Sequence, residues 1–228
     1  MNEDEVWAAI DTQRLRTVDL LESLSAEEWA HASLCDGWTV RDVAAHLTLQ
    51  QISLGDGLRM ALRHPGSINH INRENARRRA GLPTERLIAD SRGMVGSRRH
   101  NFGLTHLETL IDIVVHGQDI AIPLSRELEV DPQAAAAAAT RVWSDHLTRR
   151  GRWKMRVFRS VPYERYRLTA TDTQWSVGKG PEIRGPILSI LMVLTGRLVC
   201  MPQLSGEGAM ALREQLNQPG SATVRAAE

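Results

Sequence analysis

The sequence is poor in cysteine and in long apolar runs, and each shortage excludes a class of protein. Cys35 and Cys200 are the only cysteines among 228 residues, too few for the disulfide framework of a small secreted domain. The opening segment MNEDEVWAAI is acidic and has no apolar signal core, which also argues against secretion. The apolar segment PILSILMVLTG is too short to cross a bilayer. We therefore expect a cytoplasmic protein that has no membrane partner.

An excess of charge of one sign is also lacking. The chain has 28 basic and 27 acidic residues and a net charge of +1, so no positive field favours nucleic acid or an anionic membrane surface. Lysine occurs only at positions 154 and 179, and the arginine bias is typical of a GC-rich genome. Hydrophobic residues at 42% and charged residues at 24% are ordinary for a globular protein.

Two common catalytic signatures are missing as well. The segment GKGPEIRGP lacks the Gly-Lys-Ser/Thr ending of a phosphate-binding loop. The Gly-x-Ser-x-Gly elbow of serine hydrolases does not occur. The sequence therefore predicts neither nucleotide binding at such a loop nor hydrolysis by such a serine.

The first half of the chain carries a series of helix signals. Ser25 with Glu28, and Thr39 with Asp42, each match a capping box at a helix start. A polar connector is predicted for HPGSINHINRENARRRAGLP, a further helix for about residues 84–95, and a long helix for LTHLETLIDIVVHGQDIAIPL. These signals predict a four-helix bundle over residues 1–125. The first helix should bury an apolar stripe formed by Val6, Ile10, Leu15, Val18, Leu21 and Leu24.

The pattern changes at about residue 131. Asp131 followed by Pro132 is a favoured helix start. The segments KMRVF and YRLTATDTQWSVG alternate like strands, whereas GPILSILMVLTGR and GEGAMALREQL have helical spacing. Residues 131–228 are therefore predicted to form a small α/β domain. The fold class expected for the whole chain is α+β, with the helix bundle first.

Polar residues interrupt the long helical segment where burial is expected. Asp112 and His116 lie four positions apart and therefore on one helix face, and His46 lies on the apolar stripe of another helix. If both helices line the bundle core, the three side chains can converge. Two imidazoles and one carboxylate can then bind Zn²⁺ or a similar divalent ion and leave coordination positions open. The structural alternative is a hydrogen-bonded core histidine at position 46 and a structural Asp112–His116 pair.

The stretches SLCDGWTVRDVAAHLTL and DIVVHGQDIA together resemble the mycothiol-dependent maleylpyruvate isomerase family, within the DinB-like metal-binding bundles. That family's pattern is a Gly-Trp-Thr helix start leading to a His-Leu pair, then an acid and a histidine four residues apart. The segment from Tyr166 to Arg197 is similar to the family's second domain, which resembles sterol carrier proteins. The resemblance covers nearly the whole chain.

The resemblance implies roles for individual residues. His46, Asp112 and His116 would bind the metal, most simply Zn²⁺, although the family more often has Glu in place of Asp112. Asp119 would be either a partner that orients His116 or a helix-end residue. Arg197 would bind the carboxylate of a substrate, the alternative being a surface arginine.

The fourth coordination position of the expected metal ion should stay open for a small molecule. Cys35 is interpreted as a packed small residue, and neither it nor Cys200 is expected to act as a fourth ligand.

The resemblance also implies a function. The chain would be a metal-dependent enzyme that uses mycothiol, the small thiol of actinobacteria, as cosubstrate. The metal would activate this thiol as a thiolate for attack on a small, electrophilic, anionic substrate, with isomerisation or S-transfer as the outcome. The alternative is a non-catalytic, metal-stabilised protein that binds a small molecule or a lipid. The oligomeric state stays open between monomer and homodimer.

Overall fold

The computed structural model of the chain describes residues 1–51, 68–148 and 162–217, with the backbone only for residues 68–72. The chain divides into two compact units, Met1–Val130 and Asp131–Glu228. Within the described ranges the first unit is helical and the second combines helices with a three-stranded sheet. The predicted α+β class with a helical N-terminal part is confirmed. Among these residues, no helix has the length and apolar character needed to span a membrane.

The described part of the first unit contains six α-helices. They are α1 (Glu3–Glu22), α2 (Ala26–Ala30), α3 (Val40–Leu47), α4 (Ile68–Ala80), α5 (Thr84–Arg92) and α6 (His106–Ala121). α1 packs against α5 and α6, while α3 packs against α4 and α6, so α6 contacts both α1 and α3.

The helix starts predicted from capping signals are confirmed. Ser25 accepts a hydrogen bond from the backbone N–H of Glu28, and the Glu28 carboxylate accepts one from the backbone N–H of Ser25. Thr39 and Asp42 form the same reciprocal pair at the start of α3. Asp131 caps the first helix of the second unit. Each box satisfies backbone donors that the first helical turn leaves unpaired.

The connector predicted before residue 83 is wrong, because most of it is the helix α4. This helix packs against α3, and its buried side chains include Asn75, Ala76 and Ala80. Small and polar residues make that contact. A search for large apolar residues at helical spacing therefore does not reveal the helix.

The buried face of α1 also differs from the prediction. Leu15 is 42% exposed, whereas the neighbouring Arg14 is buried. The Arg14 Nη1 donates to the carbonyl oxygens of Met94 at 2.7 Å and Ser97 at 3.0 Å. These two hydrogen bonds offset part of the free-energy cost of burying the guanidinium. A prediction from the spacing of apolar residues does not anticipate a buried arginine.

The described part of the second unit combines helices with a short mixed sheet. Its elements are α7 (Pro132–Leu147), β1 (Arg167–Ala170), β2 (Ser176–Gly178), β3 (Glu182–Gly185), α8 (Ile187–Leu194) and α9 (Glu207–Asn217). The strand order is β2-β1-β3, and β1 pairs with β2 in antiparallel fashion and with β3 in parallel fashion, so that Leu168 lies opposite Val177 on one side and Ile183 on the other. α8 packs against α7 and against β1.

The strand predictions for the second unit are confirmed in part. β1 and β2 lie within the segment YRLTATDTQWSVG, as predicted. β3 is not predicted, because it has four residues and only Ile183 and Gly185 are buried, too few for a period-two pattern to show. The predicted strand KMRVF lies outside the described residues.

Candidate metal centre

Two packed helices position the candidate site. His46 lies in the last turn of α3, and Asp112 and His116 lie one turn apart in the middle of α6. Because residues i and i+4 share a face of a helix, both α6 side chains point in one direction. The contact between α3 and α6 brings His46 to that same face.

The three residues predicted as metal ligands lie together. Asp112 Oδ1 is 3.5 Å from His46 Nε2 and 3.3 Å from His116 Nε2. The two imidazole rings are 4.8 Å apart at an angle of 78°. The three side chains are 15–30% exposed, so the cluster is sheltered but can be reached from solvent.

The spacing of the donor atoms fits a tetrahedral divalent ion. For bonds of about 2.0–2.1 Å to such an ion, neighbouring donor atoms lie about 3.3–3.4 Å apart. The separations of 3.3 and 3.5 Å around Asp112 Oδ1 agree with that value. Two imidazole nitrogens and one carboxylate oxygen are also donors that Zn²⁺ commonly takes. The residues present therefore fit a zinc-type ion with a coordination position left over.

Asp119 fixes the orientation of His116. The His116 Nδ1 donates to Asp119 Oδ2 at 2.8 Å, and the Asp119 side chain is fully buried. A proton held on Nδ1 makes Nε2, which faces Asp112, the nitrogen that can bind a metal ion. Carboxylates in this position are usual partners of metal-binding histidines. Of the two roles considered for Asp119, the geometry supports the orienting partner.

Gln50 is a member of the cluster that the sequence interpretation missed. Its Nε2 donates to Asp112 Oδ2 at 2.8 Å, and the residue is 3% exposed. Within the described residues, Gln50 Oε1 and His46 Nδ1 are buried without a hydrogen-bond partner. No periodic signal in the sequence marks it, because α3 ends at Leu47 and Gln50 lies in the turn that follows.

Cys35, interpreted from the sequence as a packed small residue, lies beside the cluster. Its Sγ donates to Asp119 Oδ2 at 3.1 Å and lies 3.7 Å from His116 Nδ1. The loop that carries it is fastened to α6, since the backbone N–H of Leu34 donates to the carbonyl oxygen of Asp119. Cys35 faces the opposite ring nitrogen of His116 from Asp112. It therefore forms a separate group with His116 and Asp119.

Charge coupling within the cluster is strong. Burial alone would raise the pKa of Asp112, but the charge of His46 and hydrogen bonds from His116 and His46 hold it well below its usual range. Burial alone would lower the pKa of His116, but its hydrogen bonds to Asp112 and Asp119 and its contact with Cys35 raise it well above its usual range. The metal-free cluster thus favours a carboxylate paired with an imidazolium.

Arg197 belongs to the second unit. It follows α8 and Gly196, and its Nη1 donates to the carbonyl oxygen of Thr195 at 2.7 Å. The side chain is half-buried. Its predicted role in binding a substrate carboxylate stays a prediction.

Comparison with known proteins adds to this geometry. Residues 10–108 match the family model described as the mycothiol maleylpyruvate isomerase N-terminal domain. That range includes Cys35, His46 and Gln50 and ends four residues before Asp112. No curated protein sequence matches the chain significantly.

Two crystal structures have a similar fold over nearly the whole chain. One is of the mycothiol-dependent maleylpyruvate isomerase, with a TM-score of 0.58 and 15% identity over 92% of this chain and 94% of that chain. The other is of a histidine-to-alanine mutant of a mycothiol-dependent maleylpyruvate isomerase, with a TM-score of 0.58, 14% identity and the same coverage. At these identities the likeness shows a shared fold.

Proposed function

We propose that this chain, which belongs through its N-terminal domain to the mycothiol maleylpyruvate isomerase family, is a metal-dependent, thiol-using isomerase. Its substrate would be a small, electrophilic, anionic molecule, and its cosubstrate a thiol of the mycothiol type. The observation that carries the proposal is the convergence of His46, Asp112 and His116, whose donor atoms are spaced for one divalent ion. Zn²⁺ suits this donor set best.

The chain's own residues would prepare the site for that chemistry. His46, Asp112 and His116 would hold the ion, and a bound divalent ion supplies Lewis-acid character that favours the ionised form of a nearby thiol. Asp119 keeps the proton of His116 on Nδ1, which leaves Nε2 free to bind. Three protein ligands leave room for a small molecule, as catalytic zinc sites require.

Isomerisation by this route needs no oxidant and consumes no thiol. The thiol first loses its proton to solvent, and the thiolate sulfur adds to a carbon–carbon double bond conjugated to a carbonyl group, forming a C–S bond while the π electrons move to the carbonyl oxygen. The former double bond can then rotate. When the electrons return, the C–S bond breaks and the double bond forms again with the opposite geometry. If a proton reaches the neighbouring carbon first, the C–S bond persists and the outcome is S-transfer.

Arg197 is the proposed partner for an anionic group of the substrate. A guanidinium binds a carboxylate through two parallel N–H donors and keeps its charge at neutral pH.

The alternative, a non-catalytic, metal-stabilised protein that binds a small molecule or a lipid, is less favoured, because the matching family model and the similar crystal structures are those of isomerases. One apolar cavity among the described residues of the second unit, lined by residues such as Leu168, Ile183 and Leu212, has a volume of about 10 Å³. It has room for about one water molecule.

Metal analysis combined with an isomerase assay tests the proposal. The purified protein should contain a divalent ion by mass spectrometry and should isomerise maleylpyruvate only when both mycothiol and metal are present. His116→Ala should lose the ion and the activity. His100→Ala, which removes an exposed histidine, should lose neither. If the metal-loaded protein shows no thiol-dependent conversion over a panel of unsaturated keto acids, the isomerase proposal is refuted.

A further inference from the structure

Only one of the two polar groups of the buried Gln50 amide, the N–H group, makes a hydrogen bond within the described residues. Its Nε2 donates to Asp112 Oδ2 at 2.8 Å, while its Oε1 is buried without a partner in the described part of the chain. A buried acceptor that lacks a donor costs free energy, so an apolar side chain of similar size would pack there more favourably. The feature that a glutamine adds at this position is its N–H group on Asp112.

The orientation of this amide is fixed by the carboxylate. If the amide were rotated by half a turn, Oε1 would face Asp112 Oδ2, and two acceptors would oppose each other. The recorded orientation is therefore the one that a charged Asp112 selects. Asp112 consequently has a divided environment, with Oδ1 directed toward His46 and His116 and Oδ2 held by Gln50.

We propose that Gln50 is a positioning residue that restricts Asp112 to ligation through one oxygen and thereby selects an ion of low coordination number, such as Zn²⁺. This inference rests on the metal site of the proposed function. A carboxylate whose two oxygens are both available can bind an ion through both of them. With Oδ2 accepting the N–H of Gln50, two-oxygen binding would place the ion and the amide on the same oxygen, and the hydrogen bond disfavours this arrangement.

The number of protein donors sets the preference for the ion. One oxygen from Asp112 and two imidazole nitrogens give three protein donors, the number found in catalytic zinc sites. Two oxygens from Asp112 would give four protein donors and a higher total coordination, which suits ions that prefer octahedral surroundings, such as Mn²⁺. Gln50 thus preserves both the open position and the preference for zinc.

The test compares Gln50→Leu with Gln51→Leu in the full-length protein. Both variants lose a glutamine amide, but the recorded hydrogen bond of Gln51 is to Ser97 and not to the cluster. Dissociation constants for Zn²⁺ and Mn²⁺ are measured by competition with a chromophoric chelator. The visible spectrum of the Co²⁺-loaded protein reports coordination number independently of activity, because tetrahedral Co²⁺ absorbs far more strongly than five- or six-coordinate Co²⁺.

Gln50→Leu should weaken Zn²⁺ binding by about 10–100-fold, the usual effect of removing a partner of a metal ligand. Mn²⁺ binding should weaken less, and the cobalt bands should lose intensity. Gln51→Leu should match the wild type in all three measurements. If Gln50→Leu is too unstable to study, Gln50→Asn keeps the amide but is one methylene too short to reach Asp112, and it should give the same shifts.

Two results would overturn the inference in different ways. Unchanged affinities and an unchanged cobalt spectrum in the Gln50 variants would refute the role of Gln50 and leave the metal site intact. A wild-type protein that binds none of these ions would refute the metal site itself, and the inference with it.

Discussion

His116 and Asp119 form a hydrogen bond of 2.8 Å, with Nδ1 as the donor, and the other ring nitrogen of His116 faces Asp112. His46 has no such support, because within the described residues its buried Nδ1 is without a partner. The two histidines of the cluster are therefore unequal. The imidazole of His116 has a carboxylate partner at each ring nitrogen, whereas that of His46 has one only at Nε2, where it faces Asp112.

Asp119→Asn should lower the affinity for Zn²⁺ by about 10–100-fold, because the amide supports the required tautomer of His116 less well. The measurement is titration calorimetry on the metal-free protein. Asp36→Asn removes an exposed carboxylate from the loop that carries Cys35 and should leave the affinity unchanged. Equal affinities for the wild type and the Asp119 variant would contradict an orienting role.

Cys35→Ala should retain one divalent ion per chain after dialysis. The thiol lies against Nδ1 of His116, whereas the proposed ion lies on the side of Nε2, so one ion cannot use both groups of residues. Metal content per chain, measured by mass spectrometry, checks this prediction, with Cys200→Ala as the matched removal of a thiol. A selective loss of metal from the Cys35 variant would mean that the group containing Asp119 holds the ion.

Glu28→Gln should destabilise the protein at neutral pH but not in acid. A backbone hydrogen bond from Ser25, followed in importance by the Arg126 side chain, lowers the pKa of Glu28 below its ordinary value. A lowered carboxyl pKa stabilises the fold above the unfolded-state pKa of about 4.3, and this contribution is lost as pH falls through the folded-state pKa.

Thermal melts of the Glu28 variant and the wild type should therefore differ at about pH 7 and converge below the ordinary pKa of about 4.3. Glu27→Gln changes the adjacent exposed carboxylate and serves as the control. A difference in melting temperature that does not depend on pH would show that the charge of Glu28 contributes nothing.

Thr39→Ala should cost about 1 kcal/mol of folding free energy, because it removes the side chain that caps α3. Thr39→Ser keeps the hydroxyl and should restore most of the loss. Urea denaturation measures the free energy of unfolding of both variants. Thr12→Ala, on the exposed face of α1, should have a smaller effect. If the free energy of unfolding falls as much in the Thr12 variant as in the Thr39 variant, the effect comes from removing a threonine in general and not from removing the cap of α3.

The parts of the site that sequence patterns predict are those that depend on a single helix. Asp112 and His116 are one turn apart, and capping boxes mark the starts of α3 and α6, so their shared face follows from helix geometry alone. His46 was predictable because an apolar stripe surrounds it. The fold class was predictable because the spacing of apolar residues changes near residue 131 from a helical pattern to one that includes the alternation of strands.

The parts that were not predictable depend on contacts between distant segments. Cys35 reaches His116 because its loop is hydrogen-bonded to the end of α6, and that contact leaves no periodic signal. Gln50 becomes informative only when its partner Asp112, 62 positions away, is known. β3 is recognisable only beside β1, since its four residues carry too little pattern by themselves.

The distribution of the cluster over the helices has a consequence for folding. α6 contributes Asp112 and His116 from adjacent turns, while α3 contributes His46 from far away in the sequence. An ion bound to all three would act as a cross-link between distant segments, absent from the unfolded chain and lost when the two helices separate. Ligand linkage then makes resistance to denaturant rise with the logarithm of the free ion concentration. A chelator would lower the unfolding midpoint without changing a single covalent bond.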